Sequence, residues 1–175
     1  TCRSNKISHE SIFKTMKRLI LMRHAEAGWH INMDDHQRPL SDSGIRDAKK
    51  IGSWLKEKAY IPDEVISSTS VRTRETLSYL FLDCPQIFER SLYLADADQM
   101  KSTLQTLLSE TVILLAHNPG ISELAHDLMN HEEKHEHFID FPAASTLIID
   151  FKADRWSEIK SNSGFMVDFI MPQQL

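Results

Sequence analysis

Thr111-Val112-Ile113-Leu114-Leu115-Ala116-His117-Asn118-Pro119-Gly120 is the stretch on which the fold turns. Its first six residues form an unbroken β-branched and aliphatic run, the pattern of a strand buried on both faces of a parallel sheet. Asn118-Pro119-Gly120 is turn chemistry, and the residues from 121 to 129 predict a helix directly after it. A buried parallel strand that feeds a helix is the repeating unit of an α/β domain.

The same alternation extends to both sides. Residues 18–22 read as a buried strand, and residues 43–58 as a helix with Ile45, Ala48, Ile51, Gly52 and Leu55 at helical spacing behind Ser41 or Ser43 as N-cap. A short strand follows at 64–67, a helix at 71–82 stopped by Pro85, and a weaker strand at 87–94. An amphipathic helix is expected at 98–108, with Met100, Leu104, Leu107 and Leu108 on one side. After the 111–116 strand and its helix, residues 145–151 and 167–170 predict strands that are antiparallel or at a sheet edge. The expected fold is α/β, a three-layer α/β/α sandwich with a mostly parallel central sheet.

At 175 residues the chain suits one domain. Residues 1–15 are polar and lack the h-region of a signal peptide. They are read as an extension, with room for a short helix over 12–16, and residues 16–175 as the domain. A hydrophobic share of 41% and a charged share of 26% are those of a globular chain. The net charge of −5 offers no overall attraction to nucleic acid or an anionic membrane, and the apolar runs are too short to span a bilayer. Two cysteines rule out a disulfide framework and suit a reducing, cytoplasmic setting.

Ligands of open α/β sheets bind beyond the carboxyl ends of the strands. Three such ends carry unusual residues here: Arg23-His24-Ala25-Glu26-Ala27, then Ser67-Ser68-Thr69-Ser70 running into Arg72 and Arg74, then His117-Asn118-Pro119-Gly120. Singly, each is an ordinary loop. Together they bring two histidines, with Arg23 and Arg72, to one sheet edge. Paired guanidiniums match phosphate geometry. Between them a neutral imidazole can attack phosphorus, while a second histidine supports the charge on the phosphoryl oxygens. The cluster suits metal-free phosphoryl transfer with no cofactor.

At these residues the chain resembles the histidine phosphatase superfamily, which shares the phosphoglycerate mutase-like fold, and within it the short SixA-like phosphohistidine phosphatases. The resemblance rests on Leu21-Met22-Arg23-His24-Ala25-Glu26-Ala27, Arg38-Pro39-Leu40-Ser41 with Gly44, Ser67-Ser68 with 71–76, 116–120, and the closing 167–175 segment. It implies that His24 is the nucleophile, that Arg23 and Arg72 bind the phosphoryl oxygens, and that His117 completes the pocket. Arg38 either lines the pocket or anchors its loop to a carboxylate. Larger members of the family carry an acidic residue that protonates the leaving group; Asp35 is the best candidate for it here, ahead of Glu26, Asp34 and Glu75, and Asp35 and Asn118 are further substrate-binding candidates. Ala25 stands where the family usually has glycine, which would strain the chain if φ there were positive.

Other histidines compete for attention. His131-Glu132-Glu133-Lys134-His135 matches a zinc-protease string, but its flanks offer almost no apolar face to seat the required helix. His131, His135 and His137 are therefore read as a loop, with no structural metal. His9, His30, His36 and His126 are surface or loop residues, with His30 and His36 near the pocket. Trp29 either shapes the entrance or packs its loop onto the domain. The expected substrate is a phosphorylated protein carrying phosphohistidine, because the chain is too short for a lid. A small phosphorylated compound, or a low-turnover phosphate-binding module of the same fold, is the alternative.

Overall fold

The computed structural model describes residues 16–29 and 31–175. The expected extension at 1–15, the body of the short helix at 12–16, His9 and His30 lie outside the described residues. Alternation of side chains organises the centre of the domain. In β1 (Met16–Arg23) Leu19 and Leu21 face one core, while Ile20 and Met22 face the other, and all four are fully buried. The strand at Thr111–Ala116, β4, divides its residues the same way, so residues 19–22 and 112–116 are apolar toward both faces.

The other strands are β2 (Glu64–Ser68), β3 (Gln86–Glu89), β5 (Thr146–Lys152) and β6 (Gly164–Ile170). They form one sheet in the order β3-β2-β4-β1-β5-β6. The pairs β1–β4, β2–β4 and β2–β3 are parallel, and β1–β5 and β5–β6 are antiparallel. Helices α1 (Asp42–Glu57) and α2 (Val71–Ser78) cover one face through Ala48, Ile51, Leu55 and Leu77. Helices α3 (Ala97–Leu104) and α4 (Gly120–Leu128) cover the other through Met100, Leu104, Ile121 and Leu124. This is the three-layer arrangement expected from the pattern.

Boundaries moved where local chemistry overrode periodicity. Helix α2 stops at Ser78, whose Oγ donates to Glu75 O at 2.7 Å, and Phe81 takes a positive φ of 54°. The segment expected as a strand over 87–94 keeps only Gln86–Glu89, then turns as a 3-10 element at Arg90–Leu92. Helix α3 ends at Leu104, leaving Leu108 91% exposed rather than on the apolar side. No helix among the described residues is long and apolar enough to cross a membrane.

The sheet places the strand ends. Parallel pairing sets Arg23 beside Ala116 and Ser67 beside Leu115, so the residues after β1, β2 and β4 emerge at one edge. Chain connections then leave to opposite faces, opening a crevice there. Ser41 caps α1 by accepting from Gly44 N at 3.0 Å. A Cβ at Gly44 would lie 2.1 Å from Glu26 O, so only glycine lets α1 start this close to the loop after His24.

Candidate active site

His24 leaves β1 with its backbone still in register: its N–H donates to Ala116 O at 3.2 Å, and its carbonyl accepts from Ala144 N at 3.1 Å. The ring is oriented as firmly. Nδ1 lies 2.7 Å from Ala25 O, and because a carbonyl only accepts, Nδ1 carries the proton. The lone pair is therefore on Nε2. Ala25 has no positive φ, so the strain expected from losing glycine is absent; its methyl is buried in the core under α1 and its N–H donates to Thr76 Oγ1 at 3.0 Å.

Arg72, on the first turn of α2, reaches this ring. Its Nε donates to His24 Nε2 at 3.3 Å, and its Nη2 donates to His117 Nδ1 at 3.3 Å. The two imidazole centroids are 5.1 Å apart. His117 Nε2 is 2.8 Å from Ser68 Oγ, a hydroxyl that can accept or donate. Ser68 can therefore follow His117 from one neutral tautomer to the other. Arg23 donates Nη1 to Phe141 O at 3.0 Å, and its Nε is buried with no partner among the described residues. That N–H is available to an oxygen in the pocket.

Asp35 completes the surroundings of Arg72. Its backbone O accepts from Arg72 Nη1 at 2.6 Å, and its Oδ2 accepts from Arg72 Nη2 at 3.0 Å and from Tyr93 OH at 2.6 Å. Oδ1 accepts from Arg38 Nη1 at 3.0 Å. Arg38 thus anchors its loop to a carboxylate, and its Nε also donates to Gly28 O at 3.1 Å. Trp29 does not pack onto the domain. It is 86% exposed, with the Arg38 guanidinium 4.2 Å above its ring.

Burial and charge set the protonation states. Desolvation first, and the nearby arginines after it, push His24 down to about 3. Desolvation, then His24 and Arg72, bring His117 to about 3 as well. Both rings are neutral near pH 7. Asp35 is held at about 2, chiefly by the Tyr93 hydrogen bond, against the opposing effect of its partial burial. It is ionised at neutral pH and cannot serve there as a proton donor. Desolvation lowers Arg23 from its usual range.

A stability profile follows. As pH falls through about 6.5 the unfolded chain protonates both histidines, while the folded chain does not until about pH 3. Their effect is nil above that window, and stability is lost across it on acidification. Each should contribute up to about 1.4 kcal/mol per pH unit. Denaturant unfolding of wild type and His117→Gln between pH 7 and 4 should show the shallower slope in the variant; equal slopes would contradict the neutral, buried His117.

The structure brings His24, Arg23, Arg72, His117, Arg38 and Asp35 to one edge, with Asn118 alongside. Asn118 Nδ2 donates to Asp140 O at 2.7 Å and to Phe141 O at 3.3 Å. It shares the Phe141 carbonyl with Arg23, so it supports the loop under that arginine. Glu26, Asp34 and Glu75 hold loop structure instead. Glu26 bonds Ser41 and Ser43, Asp34 accepts from His36 N, and Glu75 accepts from Leu40 N. His36 does edge the pocket, on Thr69 Oγ1 at 2.9 Å and against Tyr93.

Sequence reasoning missed Tyr93, whose ring edge also meets His117 at 5.4 Å. It sits in the stretch taken for strand. The signal was Glu89-Arg90-Ser91, a polar break at the carboxyl end of a strand and hence at the functional edge. The zinc-protease string is not one helix: His131–Glu133 and Glu136–Phe138 are separate 3-10 turns. Among the described residues no group of three or more His, Cys, Asp or Glu is placed to hold a metal ion.

Comparison with known proteins agrees with this geometry. The profile of the histidine phosphatase superfamily (branch 1) matches residues 19–92. An uncharacterised protein of Mycobacterium leprae is 29% identical over 162 residues, spanning 87% of this chain and all of that protein. A protein of Nakamurella multipartitia assigned as the phosphohistidine phosphatase SixA superposes with a TM-score of 0.80 at 24% identity, over 90% of this chain and 96% of that one. A protein histidine phosphatase SixA complexed with tungstate gives 0.74 at 20% identity, over 90% and 98%. The fold is therefore the phosphoglycerate mutase-like α/β sandwich without a large insertion.

Proposed function

We propose that the chain is a histidine phosphatase, in keeping with the superfamily profile over residues 19–92, and that it is a metal-independent enzyme that works through a phosphohistidine on His24 and acts on phosphohistidine in proteins. One observation carries the reading: the buried Arg72 guanidinium spans both neutral imidazoles, with the His24 lone pair on the ring nitrogen that faces it.

Each group has a task in that arrangement. A phosphoryl group enters between His24 and Arg72, and its oxygens take the Arg72 Nε and Nη2 hydrogens and the free Arg23 Nε–H. His24 Nε2, released from Arg72, attacks phosphorus in line as the leaving group departs. His117 Nδ1, released in the same way, becomes a donor to a phosphoryl oxygen when it takes a proton from the incoming phosphoryl group and Nε2 gives its own up to solvent, after which Ser68 Oγ–H donates a hydrogen bond to Nε2. Water then hydrolyses the phosphorylated His24 and restores the lone pair. Charge neutralisation comes from guanidiniums fixed by burial, which need no reorganisation during the step.

Two features support a protein side chain as substrate. Between Arg72 and His117 the chain is spent on α2, β3, one turn, α3 and β4, with nothing left over as a lid. Asp35, the carboxyl group that meets Arg72, is ionised, and Glu26 and Glu75 are spent on accepting hydrogen bonds within their loops. An imidazole bonded to phosphorus can leave with a proton already on its far nitrogen, whereas an alkoxide needs one supplied. The unpaired Cys84 and the cysteine count support a reducing, cytoplasmic setting. The test compares kcat/KM for a phosphohistidine-bearing protein with that for sugar phosphates. The first should be larger, and the reverse order would transfer the assignment to a small phosphorylated compound.

A further inference from the structure

We propose that the Asp35 carboxylate is the specificity-determining group of this site, favouring a departing heterocycle that presents an N–H over a departing oxygen that carries negative charge. The inference rests on the phosphatase reading above and names what that site selects.

Geometry leaves Asp35 one role toward a ligand, that of acceptor. Each carboxylate oxygen offers two acceptor positions. Oδ2 is filled by Tyr93 OH and Arg72 Nη2, whereas among the described residues Oδ1 holds only Arg38 Nη1. One position on Oδ1 is left. The Asp35 side chain is 48% exposed and that of Arg72 4%, so the carboxylate lies outward of the guanidinium that grips the phosphoryl group. Arg72 meets Asp35 through Nη1 and Nη2 and meets the imidazoles through Nε and Nη2. Asp35 can thus stay in place while the phosphoryl group is bound.

Consider what leaves. When His24 Nε2 bonds to phosphorus, the phosphorus–nitrogen bond of a phosphoimidazole breaks and its electron pair returns to that ring nitrogen. The ring departs neutral because its other nitrogen already bears a proton. That N–H can donate to Asp35 Oδ1 throughout, so no proton changes hands. When a phosphoester is attacked instead, the breaking bond leaves its electron pair on oxygen. Negative charge then develops beside a carboxylate that repels it and cannot protonate it. Tyr93 is a positioning residue here, since its hydroxyl keeps Oδ2 occupied and so leaves the ligand Oδ1, while its ring packs on His117 and His36.

The full chain should be assayed with phosphoimidazole and with p-nitrophenyl phosphate, for wild type, Asp35→Asn and Tyr93→Phe. The readout is the ratio of kcat/KM for the first substrate to that for the second. Asp35→Asn should lower it about tenfold or more, as expected for loss of one charge-assisted hydrogen bond together with a repulsion. Tyr93→Phe, which keeps the ring contacts, should lower the ratio in the same sense by a smaller factor. If both substrates fall together and the ratio holds, Asp35 only positions Arg72 and the selectivity proposal is overturned. An increase in the ratio overturns it too. A wild-type protein that turns over neither substrate and forms no acid-labile phosphoenzyme would instead sink the phosphatase reading on which this one stands.

Discussion

Replacing His24 with alanine is expected to remove turnover and the acid-labile phosphoenzyme together, with kcat/KM falling by about 10³-fold or more. The size follows from what the ring alone supplies. Nε2 holds the lone pair that faces Arg72, and Ala25 O fixes the tautomer that leaves it there. Among the described residues His117 is the other imidazole in the pocket, but Arg72 Nη2 and Ser68 Oγ hold both of its nitrogens. The fold should survive, because the strand pairing at residue 24 runs through its backbone. Inorganic phosphate should still bind through Arg23 and Arg72. Rapid quench with a labelled phosphodonor, followed by acid and alkali treatment, reads the intermediate directly. Acid-labile, alkali-stable label on the His24→Ala protein would exclude His24 as the nucleophile.

Arg72→Lys should cost nearly as much although it keeps the charge. The guanidinium uses Nε, Nη1 and Nη2 at once to reach His24, His117, the Asp35 carbonyl and the Asp35 carboxylate. A lysine ammonium is a single point at the end of a flexible stem and cannot span those partners. Loss of about 10²–10³-fold in kcat/KM is expected, by analogy with removal of one donor aimed at developing charge. Weaker phosphate binding in calorimetry should accompany it. A Lys variant with near wild-type kcat/KM would show that paired donation by Arg72 is dispensable. Stability should also drop, because Asp35 and the buried imidazoles lose partners that the shorter donor set cannot replace.

How much of this was legible beforehand depends on which distances along the chain were involved. The unbroken apolar runs of β1 and β4 declared themselves, since a strand buried on both faces needs no alternation. Arg23, His24, Arg72 and His117 were legible because each directly follows a strand or opens a helix, and parallel strands present those ends at one edge. The limits of α2 and α3 were not, because Ser78 and Thr103 bond backbone carbonyls of the preceding turn and release the chain early. Tyr93 stayed hidden for another reason. Its value lies in reaching Asp35, 58 positions away, and nothing in either local pattern announces that bond.

The sequence by itself determined the layered α/β architecture, the functional edge, and the nucleophile candidate with its arginines, because all of these depend on periodicity and on strand ends. Tertiary structure alone decided the roles of the acids. Glu26, Asp34, Asp35 and Glu75 are alike as letters, yet three of them brace loops, and one meets Tyr93, Arg38 and Arg72 and is held ionised. It likewise decided that His24 and His117 are neutral imidazoles joined by one guanidinium. Protonation and hydrogen bonding depend on burial and on partners distant in sequence, and only the folded chain brings these together.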